Sequence, residues 1–202
     1  ARIRSCAHSA ISHETRIRIL GVARDLFASQ GLDGVSIREI AAAGNVTGAT
    51  VIHYFGGKDG LYDACIDTLY AGLAGQRDDV MKALAVTSSL DDAIEAGVRS
   101  IFQLARRNQT AIKLLLRHVA DTGEIGANRR ETQLLPFLDI GVALFSEPTG
   151  RSPVELRLTL QSLVFLVGRW AVASSREASA VAGLRGAAAF AAIEDHLVAV
   201  AR

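Results

Sequence analysis

Between Ser36 and Phe55 the chain is punctuated so closely that only short helices fit. Ser36-Ile37-Arg38-Glu39 has the form of a capping box, in which the Ser36 hydroxyl accepts from the Glu39 amide and the Glu39 carboxylate accepts from the Ser36 amide. The helix opened there stops near Ala43, because Gly44 and Asn45 both tolerate positive φ and let the chain turn. Thr47 then serves as N-cap for a helix from Gly48 to Tyr54, whose Val51 and Phe55 can point inward with Val46. Upstream, from about Glu14 to Gln30, Ile19, Leu20, Ala23, Leu26 and Phe27 form one helical stripe, and Gly31 ends it as a left-handed cap. Downstream, Gly56-Gly57 interrupts the pattern and Lys58 opens a long helix through Leu61, Tyr62, Cys65, Leu69 and Leu73. Such closely spaced helices, joined by tight turns, leave no space for a sheet.

Beyond about residue 85 the patterns lengthen into helices at roughly 90–107, 110–122, 128–146, 153–175 and 178–201. Pro136 should kink or divide the third of these, and Pro153 after Ser152 suits the first turn of the fourth. Composition agrees: three Pro and eleven aromatics in 202 residues accompany abundant Ala and Leu, which favours helices over a sandwich. The expected fold is all-α, an N-terminal three-helix domain with its arm over residues 1–75 and a helical bundle over 76–202.

The formal net charge is only +1, but the positive charge is concentrated at the N-terminal end, where Arg2, Arg4, Arg16, Arg18 and Arg24 face Glu14 alone. Cys6 and Cys65 lack CxxC spacing and suit a reducing cytoplasm; Cys65, spaced helically with Leu61 and Leu69, reads as a small buried hydrophobe. The longest stretch without charge, Ile40 to Gly57, is broken by Gly, Asn and Thr and cannot span a membrane. His118-x-x-Asp121 has helical ligand spacing but no further ligands, and Cys6 with His8 and His13 is weaker, so no metal and no cofactor are expected. An enzyme acting on an apolar substrate is the competing reading; the sequence has no GxSxG elbow, P-loop, HExxH or GxGxxG to support it. A third keeps the fold and recruits a protein partner through exposed helices.

Helix, three-residue turn and second helix, braced by a preceding helix, form the helix-turn-helix pattern, which places the N-terminal residues of a short helix in the DNA major groove. The run Thr15 to Tyr62 resembles the DNA-binding domain of TetR-family transcriptional regulators. The likeness is carried by Thr15-Arg16, Ile19-Leu20, Leu26-Phe27, Gly31, Ser36, Ile40-Ala41, Val46-Thr47, Thr50-Val51, Tyr54-Phe55, Lys58 and Leu61. It departs from the family at Gly44-Asn45, usually Ala-Gly, and at Ile52, usually Tyr. The resemblance implies that Gly48, Ala49 and Ile52 approach base edges, where they can offer only apolar contact, most naturally to thymine methyl groups. It aligns Arg38 with a position that reaches the groove, leaving a guanine or a phosphate contact open. Thr47, Thr50, His53, Tyr54 and Lys58 correspond to contacts with the DNA backbone. Arg2 and Arg4 read either as a minor-groove arm or as a solubilising tail.

The family's larger domain dimerises and usually encloses a ligand. On the helix from Pro153, apolar residues on two faces, with Leu158, Phe165 and Val172 on the outer one, demand cover by a partner. The last helix carries Phe190, Ile193, Leu197 and Val200 beside small residues. The expected dimer is a four-helix interface built on these two helices, with Leu158, Phe165, Val172, Phe190, Ile193 and Leu197 at its centre. Two copies would then read an inverted repeat in double-stranded DNA. Gln103, His118, Gln133 and Asp139, set among apolar rows, are the candidate anchors for a small, mainly apolar effector that relieves repression.

Overall fold

A computed structural model describes the backbone over residues 2–84 and 89–202 and the side chains over 12–72 and 89–202. The roles considered for the side chains of Arg2, Arg4, Cys6, His8 and Leu73 lie outside the described residues. The chain divides into two compact units, residues 1–69 and 70–202, so the division falls inside a helix. No strand occurs among the described residues.

The first unit contains α1 (Arg2–Gln30), α2 (Ile37–Ala43), α3 (Gly48–Phe55) and the opening of α4 (Lys58–Leu84). The α1 helix starts well before the expected Glu14; its apolar stripe begins only at Ile19, so periodicity gave no sign of the earlier turns. Gly31 closes α1 at φ 82° with its amide donating to Phe27 O at 2.9 Å. The core is built from Ile19, Phe27, Ile40, Val51, Leu61 and Ile66, all fully buried. The Tyr62 ring meets Phe27 edge-on at 5.1 Å. Cys65 belongs to this core, and burial pushes its thiol up to about 12, which makes it a hydrophobe rather than a nucleophile.

The second unit contains α5 (Leu90–Arg107), α6 (Gln109–Thr122), α7 (Ala127–Arg129), a π-helical turn (Arg130–Leu134), α8 (Leu135–Thr149), α9 (Pro153–Ala171), α10 (Ser175–Ala182) and α11 (Ala187–Ala201). The helix expected at 128–146 is divided as Pro136 foretold, but the division is a π turn that ends before the proline. Ser152 and Glu155 form a second capping box at the start of α9, with Pro153 in its first turn. α9 ends at Ala171, short of the expected 175. The single helix expected over 178–201 is two, because Gly183 and Gly186 take φ of 66° and 57° and break it. The core joins Phe102 on α5, Val167 and Ala171 on α9, and Ile193, Leu197 and Val198 on α11. The Arg106 guanidinium lies 3.8 Å from the centre of the Phe190 ring and donates to the carbonyls of Ala171 and Ala173, sealing one end of the bundle.

Candidate nucleic-acid interface and cavity

The turn between α2 and α3 is fixed by local hydrogen bonds. Both halves of the Ser36–Glu39 box form, with Ser36 Oγ accepting from Glu39 N at 3.2 Å and the Glu39 carboxylate accepting from Ser36 N at 2.8 Å, and the Ser36 hydroxyl also donates to that carboxylate at 2.7 Å. The bonds to the carboxylate, the hydroxyl's first, hold the Glu39 carboxyl below its usual range. Of the two turn residues only Asn45 adopts positive φ, 50°; Gly44 is right-handed at φ −83° and donates its amide to Ile40 O. Arg18 on α1 donates its Nε to Gly44 O at 3.0 Å, tying the turn to the supporting helix. Thr47 caps α3, accepting from Thr50 N at 3.1 Å, and its hydroxyl lies 2.8 Å from that of Thr50.

These bonds set the outer face of α3. Thr47, Ala49 and His53 are exposed, Gly48 and Thr50 half-buried, and Ile52 is 51% exposed, unusual for a large aliphatic side chain on a helix with a buried Val51. Arg38 is exposed on α2, and Lys58 stands half-buried at the start of α4. Tyr54 differs from expectation: it is half-buried and its hydroxyl proton goes to Ser12 Oγ at 3.0 Å, so it has none to offer a phosphate. It braces α3 against α1, helped by Arg16, whose guanidinium lies 5.3 Å from the centre of the Phe55 ring. Sequence reasoning missed Arg18, Ser12 and Gly60. A Cβ on Gly60 would collide with the Phe55 carbonyl, so the α3–α4 corner closes only around glycine. The clustering of three glycines within five residues, Gly56, Gly57 and Gly60, was the available signal.

The second unit contains a half-open cavity of about 220 Å³. Its walls come from α5, α6, the π turn, α8 and α9, with Tyr70, and they are aliphatic and aromatic except for Tyr70, Gln133 and Gln161. None of the lining side chains is acidic or basic. Burial raises the Tyr70 hydroxyl above its ordinary range, so it too is neutral at physiological pH. Gln161 has its Oε1 buried with no hydrogen-bond donor. A smaller cavity of about 100 Å³ shares Ile101, Phe137, Val164 and Val167 with the first.

Of the four expected anchors the structure brings only Gln133 to the cavity, delivered by the π turn. His118 is buried on α6 but is not part of the wall; its Nε2 lies 3.5 Å from Arg129 Nη1. Gln103 is exposed and donates to Glu194 at 3.1 Å, and exposed Asp139 pairs with Arg157. Both were misplaced because helix rotation, which periodicity leaves loose when apolar residues occupy several faces, carries them outward. Gln161 and Tyr70 were missed. Gln161 was legible as the one amide inside the apolar run of α9, Leu158 to Val167. No group of His, Cys, Asp and Glu suited to a metal ion occurs among the described residues.

The expected dimer face is partly overturned. Ile193 and Leu197 are 5% and 0% exposed, packed in the unit's own core, and cannot face a partner. Phe190 is half-buried beneath Arg106, and Val172 is half-buried. Leu158 at 64% and Phe165 at 39% remain exposed, Phe165 also contributing to the cavity wall.

Residues 19–65, spanning α1 to the start of α4, match the family described as bacterial regulatory proteins, tetR family. The chain carries a tetR-family domain in its N-terminal unit. It is 26% identical over 171 residues to the HTH-type transcriptional repressor KstR2 of Rhodococcus jostii, covering 77% of this chain and 78% of that protein. Among solved structures it resembles a TetR-family regulator from Mesorhizobium loti, with TM-score 0.69 and 18% identity over 94% of each chain. It also resembles AibR in complex with isovaleryl coenzyme A and operator DNA, with TM-score 0.68 and 20% identity over 91% of this chain and 96% of that one. TetR-family proteins are regulators rather than enzymes. No single helix among the described residues is long and apolar enough to cross a membrane.

Proposed function

We propose that this protein is a ligand-responsive repressor of the TetR family that binds an inverted-repeat operator as a homodimer in the cytoplasm. The observation that carries the reading is the outward presentation of α3: a capped helix start with Thr47 and Ala49 exposed, followed by a solvent-facing Ile52. The first-turn amides of Gly48 and Ala49 have no intrahelical acceptor and suit a phosphate, while Ile52 and Ala49 suit thymine methyl groups. Thr47, Thr50, His53 and Lys58 flank that edge as backbone contacts, and Tyr54 supports them from behind. Arg38, exposed on α2, reaches a guanine through its planar fork.

The exposed apolar side chains of the second unit favour a dimer through α8 and α9 rather than α9 and α11. Ile140 on α8 and Val154 and Leu158 on α9 are 40%, 67% and 64% exposed, whereas the expected α11 stripe is largely internal. α8 lies close enough to α9 that a Cβ on Gly141 would overlap Leu160, so the two helices offer one joint surface. A mainly apolar effector in the 220 Å³ cavity would relieve repression by binding better to a conformation with a different half-site spacing.

Selection of bound duplexes from a random pool tests the DNA reading. It should return an inverted repeat whose half-sites are centred about 34–36 Å apart or a multiple of that, bound less tightly as salt rises. A pool that yields no enriched sequence overturns it. Leu158→Glu should give a monomer by light scattering and weaken operator binding; a dimer that survives Leu158→Glu and Ile140→Glu together places the interface elsewhere.

A further inference from the structure

The cavity in the second unit constrains the chemistry of what can enter it. An ionised carboxylate or phosphate placed among the lining side chains would lose hydration, and none of those side chains is basic, the Arg129 charge reaching the wall only at Tyr70. One polar atom on that wall is itself unsatisfied: Gln161 Oε1 is buried and accepts from no donor. Leaving a buried acceptor unpaired is unfavourable, and an incoming hydroxyl would relieve it. Size sets a further limit. An apolar cavity of about 150 Å³ holds a benzene ring, so one of about 220 Å³ holds roughly nine or ten non-hydrogen atoms.

Resting on the ligand-responsive reading above, we propose that the effector is an uncharged, mainly apolar alcohol or phenol of about that size, whose hydroxyl donates to Gln161 Oε1. Gln161 thereby becomes the residue that sets specificity. An effector whose buried portion is anionic is thereby disfavoured, and a coenzyme A thioester of the kind that the AibR complex contains differs in having no acyl hydroxyl to donate to Gln161 Oε1.

Calorimetry on the full-length protein with four probes tests it: 4-propylphenol, 4-propylanisole, 4-propylbenzoate and octanoyl coenzyme A. The phenol should bind about tenfold more tightly than the anisole, which keeps the shape but has no proton to donate. The benzoate and the thioester should give no binding at the same concentrations. Gln161→Leu should erase the preference for phenol over anisole while the unfolding temperature holds or rises. Tight binding of the benzoate or of octanoyl coenzyme A overturns the proposal, as does equal binding of phenol and anisole by the unsubstituted protein. Failure of the phenol to bind up to its solubility limit overturns it as well. The DNA reading is judged separately, on the selected duplex: phenol binding that leaves duplex affinity unchanged upholds the ligand class and overturns the ligand-responsive reading instead.

Discussion

In the N-terminal unit the proposed DNA-contacting side chains stand on the outside of short helices whose ends are pinned by local hydrogen bonds, whereas in the C-terminal unit the proposed ligand-contacting ones face a cavity from long helices. At α3 the Thr47 cap and the Asn45 turn decide what is exposed, and both lie within three residues of the helix start. At the cavity, Gln133 and Gln161 come from a π turn and from α9 and meet only because distant helices pack around the same space. A surface site is therefore written in neighbouring residues, and a cavity in the rotation and spacing of helices far apart in the chain.

The strongest test of that contrast strikes each core separately. Phe27→Ala removes a fully buried ring from the first unit and should cost about 3–5 kcal/mol, and Leu114→Ala should cost about 2–5 kcal/mol in the second, both measured by urea unfolding. Phe27→Ala should abolish operator binding yet leave 4-propylphenol binding in place, and Leu114→Ala should weaken the probe first; equal loss of both activities in both variants would break the comparison. Next in size are the proposed DNA contacts. Arg38→Ala should cost about 1–3 kcal/mol and relax preference at one base pair of each half-site, while Lys58→Ala should weaken all sequences alike and lower the salt slope by about one. A uniform loss in Arg38→Ala would assign that residue to a phosphate.

The two capping boxes offer a matched pair, one in each unit. Ser36→Ala and Ser152→Ala should each cost about 1 kcal/mol of stability by denaturant titration. Only Ser36→Ala should also lower operator affinity, because α2 positions the turn into α3. The smallest effect is the pH dependence of the same boxes. Glu39 and Glu155 are both held below the ordinary 4.5 in the folded chain, Glu39 by the hydroxyl and then the amide of Ser36, Glu155 by the amide and then the hydroxyl of Ser152. Their stabilisation is complete above that value and fades as pH falls through the lower folded values. Glu39→Gln and Glu155→Gln should therefore differ from the parent near neutral pH and converge with it in acid, as read from unfolding temperature against pH; a gap that widens in acid would reverse the sign.

Several features were legible before any coordinates because they are local. The α2 boundaries, the Thr47 cap, the Gly31 cap, the start of α9 and the division near Pro136 all follow from residues within one or two turns of each other. The tie from Arg18 to Gly44 and the bond from Tyr54 to Ser12 were not legible, since each joins positions at least 26 residues apart. Nor was the corner at Gly60, where the obstacle is the carbonyl of Phe55 rather than a side chain.

Hydrophobic period, caps and glycine placement determined by themselves that the chain is all helical, that α2 and α3 form a helix-turn-helix, and which residues stand at the start of α3. Those properties depend on hydrogen bonds and side-chain spacing inside single segments. Packing alone decided that Ile193 and Leu197 turn into the core, that Gln161 rather than Gln103 or Asp139 faces the cavity, and that Ile140, Val154 and Leu158 stand exposed on α8 and α9. A helix with apolar residues on more than one face can satisfy its own hydrogen bonds at any rotation, so only its neighbours fix which face is buried.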